Sequence, residues 1–213
     1  MTELDSIANL IALSMGVGWA SGINLYAAIF MLGLMGATGS IALPPDLLVL
    51  TDPLVLFAAG AMYLVEFVTD KIPGVDTTWD ALHTFVRIPA GALLAAGAVG
   101  DVNPAVALAA AILGGGLAAG AHATKAGARA LINTSPEPFT NWSASVAEDL
   151  LVVAGLWTAL HYPWLFIGLL VVFVLLMIWL LPKLWRGIKG VLAAIGRWLG
   201  PKPKMDGGKQ IEP

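Results

Sequence analysis

Seven ionisable side chains fall between residues 66 and 87 of a 213-residue chain in which only 12% of residues are charged. Glu66 and Asp70 stand four apart and share a helix face. Asp80, His83 and Arg87 follow at i, i+3 and i+7, again on one face. The segment Asp70-Lys71-Ile72-Pro73-Gly74-Val75-Asp76 separates the two sets, and its Pro-Gly pair predicts a tight turn. A helical hairpin closed there would set Glu66 and Asp70 opposite His83 and Arg87. Thr77-Thr78-Trp79-Asp80 has the form of a capping box, which assigns Asp76, Thr77 and Asp80 to helix capping. Glu66 precedes Phe67-Val68, and Arg87 sits between Phe85 and Ile88-Pro89. Ionisable groups inside such apolar runs are costly unless paired, and they mark solute or ion pathways. The Asp80/His83 spacing could bring two metal ligands together with Glu66 as a third, but two residues on one turn are a weak signal and no metal or other cofactor is assigned.

A second polar set lies further along. Ser145-Val146-Ala147-Glu148 reads as a capping box opening a helix, which accounts for Glu148 but not for Asp149 beside it. His122, Lys125 and Arg129 recur at i, i+3 and i+7, and Asn24 interrupts a glycine-rich apolar block. In the two clusters Glu66, Asp70, Asp76, Asp80, Glu137, Glu148 and Asp149 outnumber Lys71, Arg87, Lys125 and Arg129, a surplus that favours a proton or cation over an anion. The expected pathway residues are therefore Glu66, Asp70, His83, Arg87 and Asp149. Lys71, Asp76, Asp80, Asn24, His122, Lys125, Arg129 and Glu148 are secondary candidates, and none is assigned a catalytic role. Two other readings stand beside transport: a lipid-phosphate clamp built from Lys71, Arg87, Lys125 and Arg129, with lipid-linked chemistry as its enzymatic form, and a non-catalytic assembly subunit with glycine faces for partner helices.

The elements that must hold these groups are membrane helices. With 58% hydrophobic residues and a mean hydropathy of +0.84, the chain has too little polar surface for a soluble globule of its size. Apolar blocks at 7–35, 53–68, 79–99, 104–123, 146–162 and 163–181 approach the ~20 residues needed to cross a bilayer. The expected fold is all-α, a polytopic bundle of about six transmembrane helices. Every Lys and Arg then falls on even-numbered connections, at span ends or in the C-terminal segment, which is the positive-inside pattern for both termini in the cytoplasm of a bacterial inner-membrane protein. Joining 146–181 into one bent span would give five spans and split the basic residues between faces. Residues 1–181 form the expected transmembrane domain, 182–199 a basic amphipathic helix lying in the interface, and 200–213 a disordered polar tail. Asp52-Pro53 and Asn103-Pro104 predict helix starts.

Gly16, Gly18, Gly22 and Asn24 align with Gly114, Gly116, Gly120 and His122. In six spans, the first and fourth run in opposite directions, so the likeness is either an inverted three-plus-three repeat or close packing by small residues at Gly-xxx-Gly spacing, the latter favoured. The bilayer and a small solute or ion are the expected partners, with a second copy of the chain also open; nothing points to nucleic acid. The absence of Cys rules out disulfides and thiolate sites. No zinc-protease, nucleophile-elbow or phosphate-loop motif occurs.

The run from Glu66 to Asp76, followed by Trp79-Asp80, His83-Thr84-Phe85-Val86-Arg87 and Ala90-Gly91-Ala92, resembles the signature of a bacterial integral-membrane family, the domain of unknown function 4126. Ser145-Val146-Ala147-Glu148-Asp149 resembles its second motif. The resemblance covers most of residues 10–181 and implies a small helical membrane protein without implying an activity. The basic C-terminal segment lies outside it.

Overall fold

The computed structural model describes residues 2–72, 74–100, 102–134 and 138–199. Asp101, Glu137 and the tail 200–213 lie outside them. Among the described residues the regular structure is helical throughout: α1 (Glu3–Ala37), a 3-10 segment (Pro45–Thr51), α2 (Pro53–Thr69), α3 (Val75–Val99), α4 (Pro104–Ile132), α5 (Pro138–His161) and α6 (Pro163–Leu199). Five of these are long and apolar enough to cross a bilayer; α2 reaches that standard only together with the 3-10 segment, which meets it at 68°. The expected polytopic helical bundle is what forms. Large apolar side chains such as Phe57, Leu108, Leu150 and Leu169 face outward, as a lipid solvent requires.

Helix starts follow local chemistry at two of the predicted places. Asp52 accepts from the Leu54 amide at 2.8 Å, and Asn103 from the Ala105 amide at 2.8 Å, each ahead of a proline at the first helical position. The two capping boxes are not used. α3 starts at Val75 after Gly74, and α5 starts at Pro138, so Thr77 and Ser145 both lie inside helices. Tyr162-Pro163 does separate α5 from α6, so 146–181 is not one bent span. α6 continues through Pro182 to Leu199. Beyond that proline Leu184 packs on Gly127 and Gly187 lies under Leu131, so α6 continues along the last turns of α4.

α1 is the unexpected element. Its 35 residues would measure about 52 Å if straight, far more than a bilayer core of about 30 Å. It is not straight: Asn24 is extended at φ −146°, ψ 97°. Up to that residue, α1 descends antiparallel to α3, with Ser14 donating to the Ala95 carbonyl, Gly18 and Ser21 against Gly91, and Tyr26 just past the break against His83. After it, Phe30 packs on Gly60, Gly33 on Leu50 and Leu56, and Gly36 on Leu43 and Thr51. Leu47 in turn lies against Gly97, near the opposite end of α3. The chain therefore reverses at Asn24. Residues 3–23, about 31 Å of helix, run one way, and residues 25–37 return toward the end they came from.

The reversal changes the layout of the ends. Asp5 accepts from the Trp164 indole beside the α5–α6 turn, whereas Gly187 of α6 lies against Leu131 in the last turn of α4, whose C-cap Asn133 bonds to Asp76 just past the α2–α3 turn. The first and last described segments thus sit at opposite ends of the bundle. The reversal also corrects the repeat. Gly18 meets Gly114 and Gly22 meets Ala118, so the glycine-rich part of α1 runs parallel to α4, not opposed to it. The small residues serve packing. Gly116, half of the second Gly-xxx-Gly, meets nothing, and Gly120 faces Met177 of α6.

Candidate functional site

A reversed helix leaves backbone groups without intrahelical partners, and within a membrane each must be satisfied by protein. Two of the freed carbonyls, those of Gly22 and Ile23, take donors from Arg87 at 3.4 Å and from Lys125 at 3.1 Å. On the return side the Asn24 Oδ1 accepts from the Ala27 amide at 2.9 Å and so N-caps residues 25–37. Its Nδ2 donates to Asp149 at 2.9 Å. The negative end of one half-helix dipole thus faces two cations, as in discontinuous helices that hold solutes or ions.

Around this point a charge network closes in the interior. Arg87 reaches Glu66 at 2.5 Å and Asp80 at 3.1 Å. Lys125 lies 2.9 Å from Asp70, 3.4 Å from Glu66, 3.5 Å from Glu148 and 3.7 Å from Asp80. Arg129 makes the fork expected of a guanidinium on a carboxylate, with Nε to Glu148 at 3.0 Å and Nη2 to its second oxygen at 2.7 Å. Its Nη1 donates to the Asp70 carbonyl at 3.1 Å and to both the carbonyl and the side-chain oxygen of Asn141. Glu66, Arg87 and Arg129 have no solvent exposure at all. Lys125 stands seven residues, about 10 Å, inside the end of α4, and Asp149 about 16 Å inside the start of α5.

The two histidines bridge helices. His83 donates from Nδ1 to the Trp79 carbonyl at 2.9 Å, its Nε2 shares a hydrogen bond with the Tyr26 hydroxyl at 3.1 Å, and its ring stacks on Trp79 at 4.1 Å. Arg87 donates to Nδ1 of His122 at 3.1 Å, so His122 must donate from Nε2 to Thr84 at 2.7 Å, and Thr84 donates to the Asp80 carbonyl. Asp76, also fully buried, collects the Gly74 and Thr77 amides and the Asn133 side chain. Lys71 sits at the rim, over the Phe67 ring at 2.9 Å and donating to the Phe67 carbonyl.

Most of the residues singled out in the sequence thus meet, but through other partners than a simple hairpin provides. Glu66 and Arg87 do pair. Asp70 pairs with α4 cations instead of His83, which bonds to Tyr26 and not to a carboxylate. Lys125, a secondary candidate by sequence, is the hub, while Asp80 and Glu148, assigned to capping boxes, are ion-pair partners. Tyr26, Thr84, Asn133 and Asn141 were missed, since lone polar residues at helical positions carry no spacing signal. Several buried atoms lack any hydrogen-bond partner: Glu66 Oε2, Asp70 Oδ1, both Asp80 oxygens and Asp149 Oδ2, against Arg87 Nε as the one unfilled cationic donor among the described residues. Asp80 Oδ1 lies at ion-pair distance from Arg87 without hydrogen-bond alignment. Trp19 Nε1, Trp79 Nε1 and Asn141 Nδ2 are unfilled neutral donors and Asn133 Oδ1 a further acceptor, so among the charged groups the unfilled positions are mostly carboxylate oxygens. No three His, Asp or Glu among the described residues converge closely enough to hold a metal ion.

The model of one family covers residues 11–183. The chain belongs to DUF4126, a domain of unknown function. That DUF4126 span takes in the Asn24 reversal and the whole charge network, and it ends just past Pro182 within α6. No curated protein and no solved structure matches the chain.

Proposed function

We propose that this DUF4126 protein is a carrier or channel-like protein for a small solute or ion, with its polar site in the cytoplasmic half of the membrane and proton or cation movement through that site. The observation that carries the reading is the reversal of α1 at Asn24 inside the bundle, next to buried carboxylate oxygens without partners. A purely structural network would be expected to fill its acceptors, because an unpaired buried polar atom costs stability. The lipid-phosphate clamp has less support, since Arg87, Lys125 and Arg129 are already committed to carboxylates.

The end of the bundle carrying Lys71, Arg129 and the later part of α6 is the cytoplasmic one by the positive-inside rule, and the start of α1, with Glu3 and Asp5, is external. A cysteine at Leu4 is then labelled from outside intact cells by an impermeant maleimide, as is one at Ala42, while one at Thr77 is not. Protection of Leu4→Cys with Ala42→Cys labelled would return the start of α1 to the cytoplasm.

The functional test is flux in proteoliposomes with a trapped pH dye under a potassium diffusion potential, extended to monovalent cations and a panel of small solutes. Flux above that of empty vesicles, lost in Glu66→Gln, supports the reading. Flux indistinguishable from empty vesicles for every species overturns it.

A further inference from the structure

Asp149 differs from every other described carboxylate of the site. Glu66, Asp70, Asp80 and Glu148 each lie within ion-pair distance of Arg87, Lys125 or Arg129, and Asp76 is held by backbone amides. Asp149 has neither. One of its oxygens accepts a hydrogen bond from the Asn24 amide at 2.9 Å; the other is buried with no partner at hydrogen-bond geometry, and the Tyr63 hydroxyl is the nearby neutral group that interacts with the same carboxylate. A carboxylate so placed can take up a proton without breaking an ion pair.

Asn24, which donates to it at 2.9 Å, is also the residue at which α1 reverses. Asn24 uses Nδ2 on Asp149 and Oδ1 on the Ala27 amide, so the carboxylate, the break and the cap of residues 25–37 form one hydrogen-bonded chain. We propose that Asp149 is the proton-binding residue of the site and that its protonation releases Asn24, freeing residues 25–37 to move against α4. The assignment rests on the transport reading above and names its coupling group. In the step an O–H bond forms at Asp149 Oδ2 with a proton from water at the cytoplasmic end. The neutral carboxyl is a weaker acceptor, so the Asn24 bond loosens; loss of the proton to water restores it. The groups facing Asp149 are Asn24 of α1, Tyr63 and Asp70 of α2, Lys71 of the following turn, Lys125 of α4 and the adjacent Glu148. Of these the acids and lysines belong to the ion-paired network or its rim, which leaves Asp149 as the switching group.

The chain has no native cysteine, so spin labels at Leu34→Cys on the returning half of α1 and at Leu108→Cys on α4 report the movement by double electron–electron resonance on the full-length protein in nanodiscs. The expected result is a distance distribution that shifts between acidic and alkaline buffer, and that stays acid-like at both pH values in Asp149→Asn. In Asn24→Ala, where Asp149 is intact but disconnected, the pH response is lost as well. An unchanged pH shift in either variant, or no shift in the labelled parent, overturns the proposal. A shift that depends on Asp149 in a protein without any flux keeps the switch and removes the transport reading.

Discussion

The upper and lower parts of the α1–α3–α4 contact solve opposite problems. Toward the end that carries Asp5 and Trp164, Gly18, Gly22, Gly91, Gly114 and Ala118 bring three backbones so close that an added Cβ at Gly18 or Gly22 would strike the α4 backbone. One turn further in, α1 reverses, its carbonyls come free, and long cationic side chains from α3 and α4 are needed to reach them. Close packing leaves no room for side chains; broken backbone demands them. The seam fixes the distance between helices, and that distance lets Arg87 and Lys125 span to α1 and α2 together.

The largest expected effects therefore lie in the network. Glu66→Gln or Arg87→Gln strands a charge in the interior and should cost about 3 to 5 kcal/mol, as in soluble interiors. The double variant should regain part of the stability and none of the flux; strictly additive losses in a double-mutant cycle would show that the two are not partners. At the seam, Gly22→Val should cost about 1 to 3 kcal/mol by overpacking, read as a lowered Tm in detergent. Gly116→Val, which faces open space, should leave Tm nearly unchanged, and equal losses at both sites would erase the distinction between seam and lipid face. Asn24→Ala removes the cap of the returning half-helix and should cost about 1 kcal/mol. Lys71→Gln, at the rim over Phe67, should cost under about 1 kcal/mol; a loss as large as that of Arg87→Gln would move Lys71 into the core of the site.

Composition and spacing were enough to determine a polytopic helical membrane protein, because burial in lipid forces long uncharged runs and confines charges to particular places. They also determined the helix starts at Asp52 and Asn103, the α5–α6 break at Tyr162-Pro163 and the pairing of Glu66 with Arg87, since each depends on neighbours within a turn or a short hairpin. Long-range partners decided the rest. Nothing near Asn24 distinguishes a packing residue in a long helix from the point where a helix doubles back; only the contacts of Phe30, Gly33 and Gly36 with α2 and the 3-10 segment do that. Lys125 became the hub because α4 lies parallel to the first half of α1 at glycine distance, and the same contact turned Asp80 and Glu148 from caps into counter-ions. Local sequence encodes where a helix begins. Which carbonyls are left free, and which cation reaches them, depends on helices brought together from far apart in the chain.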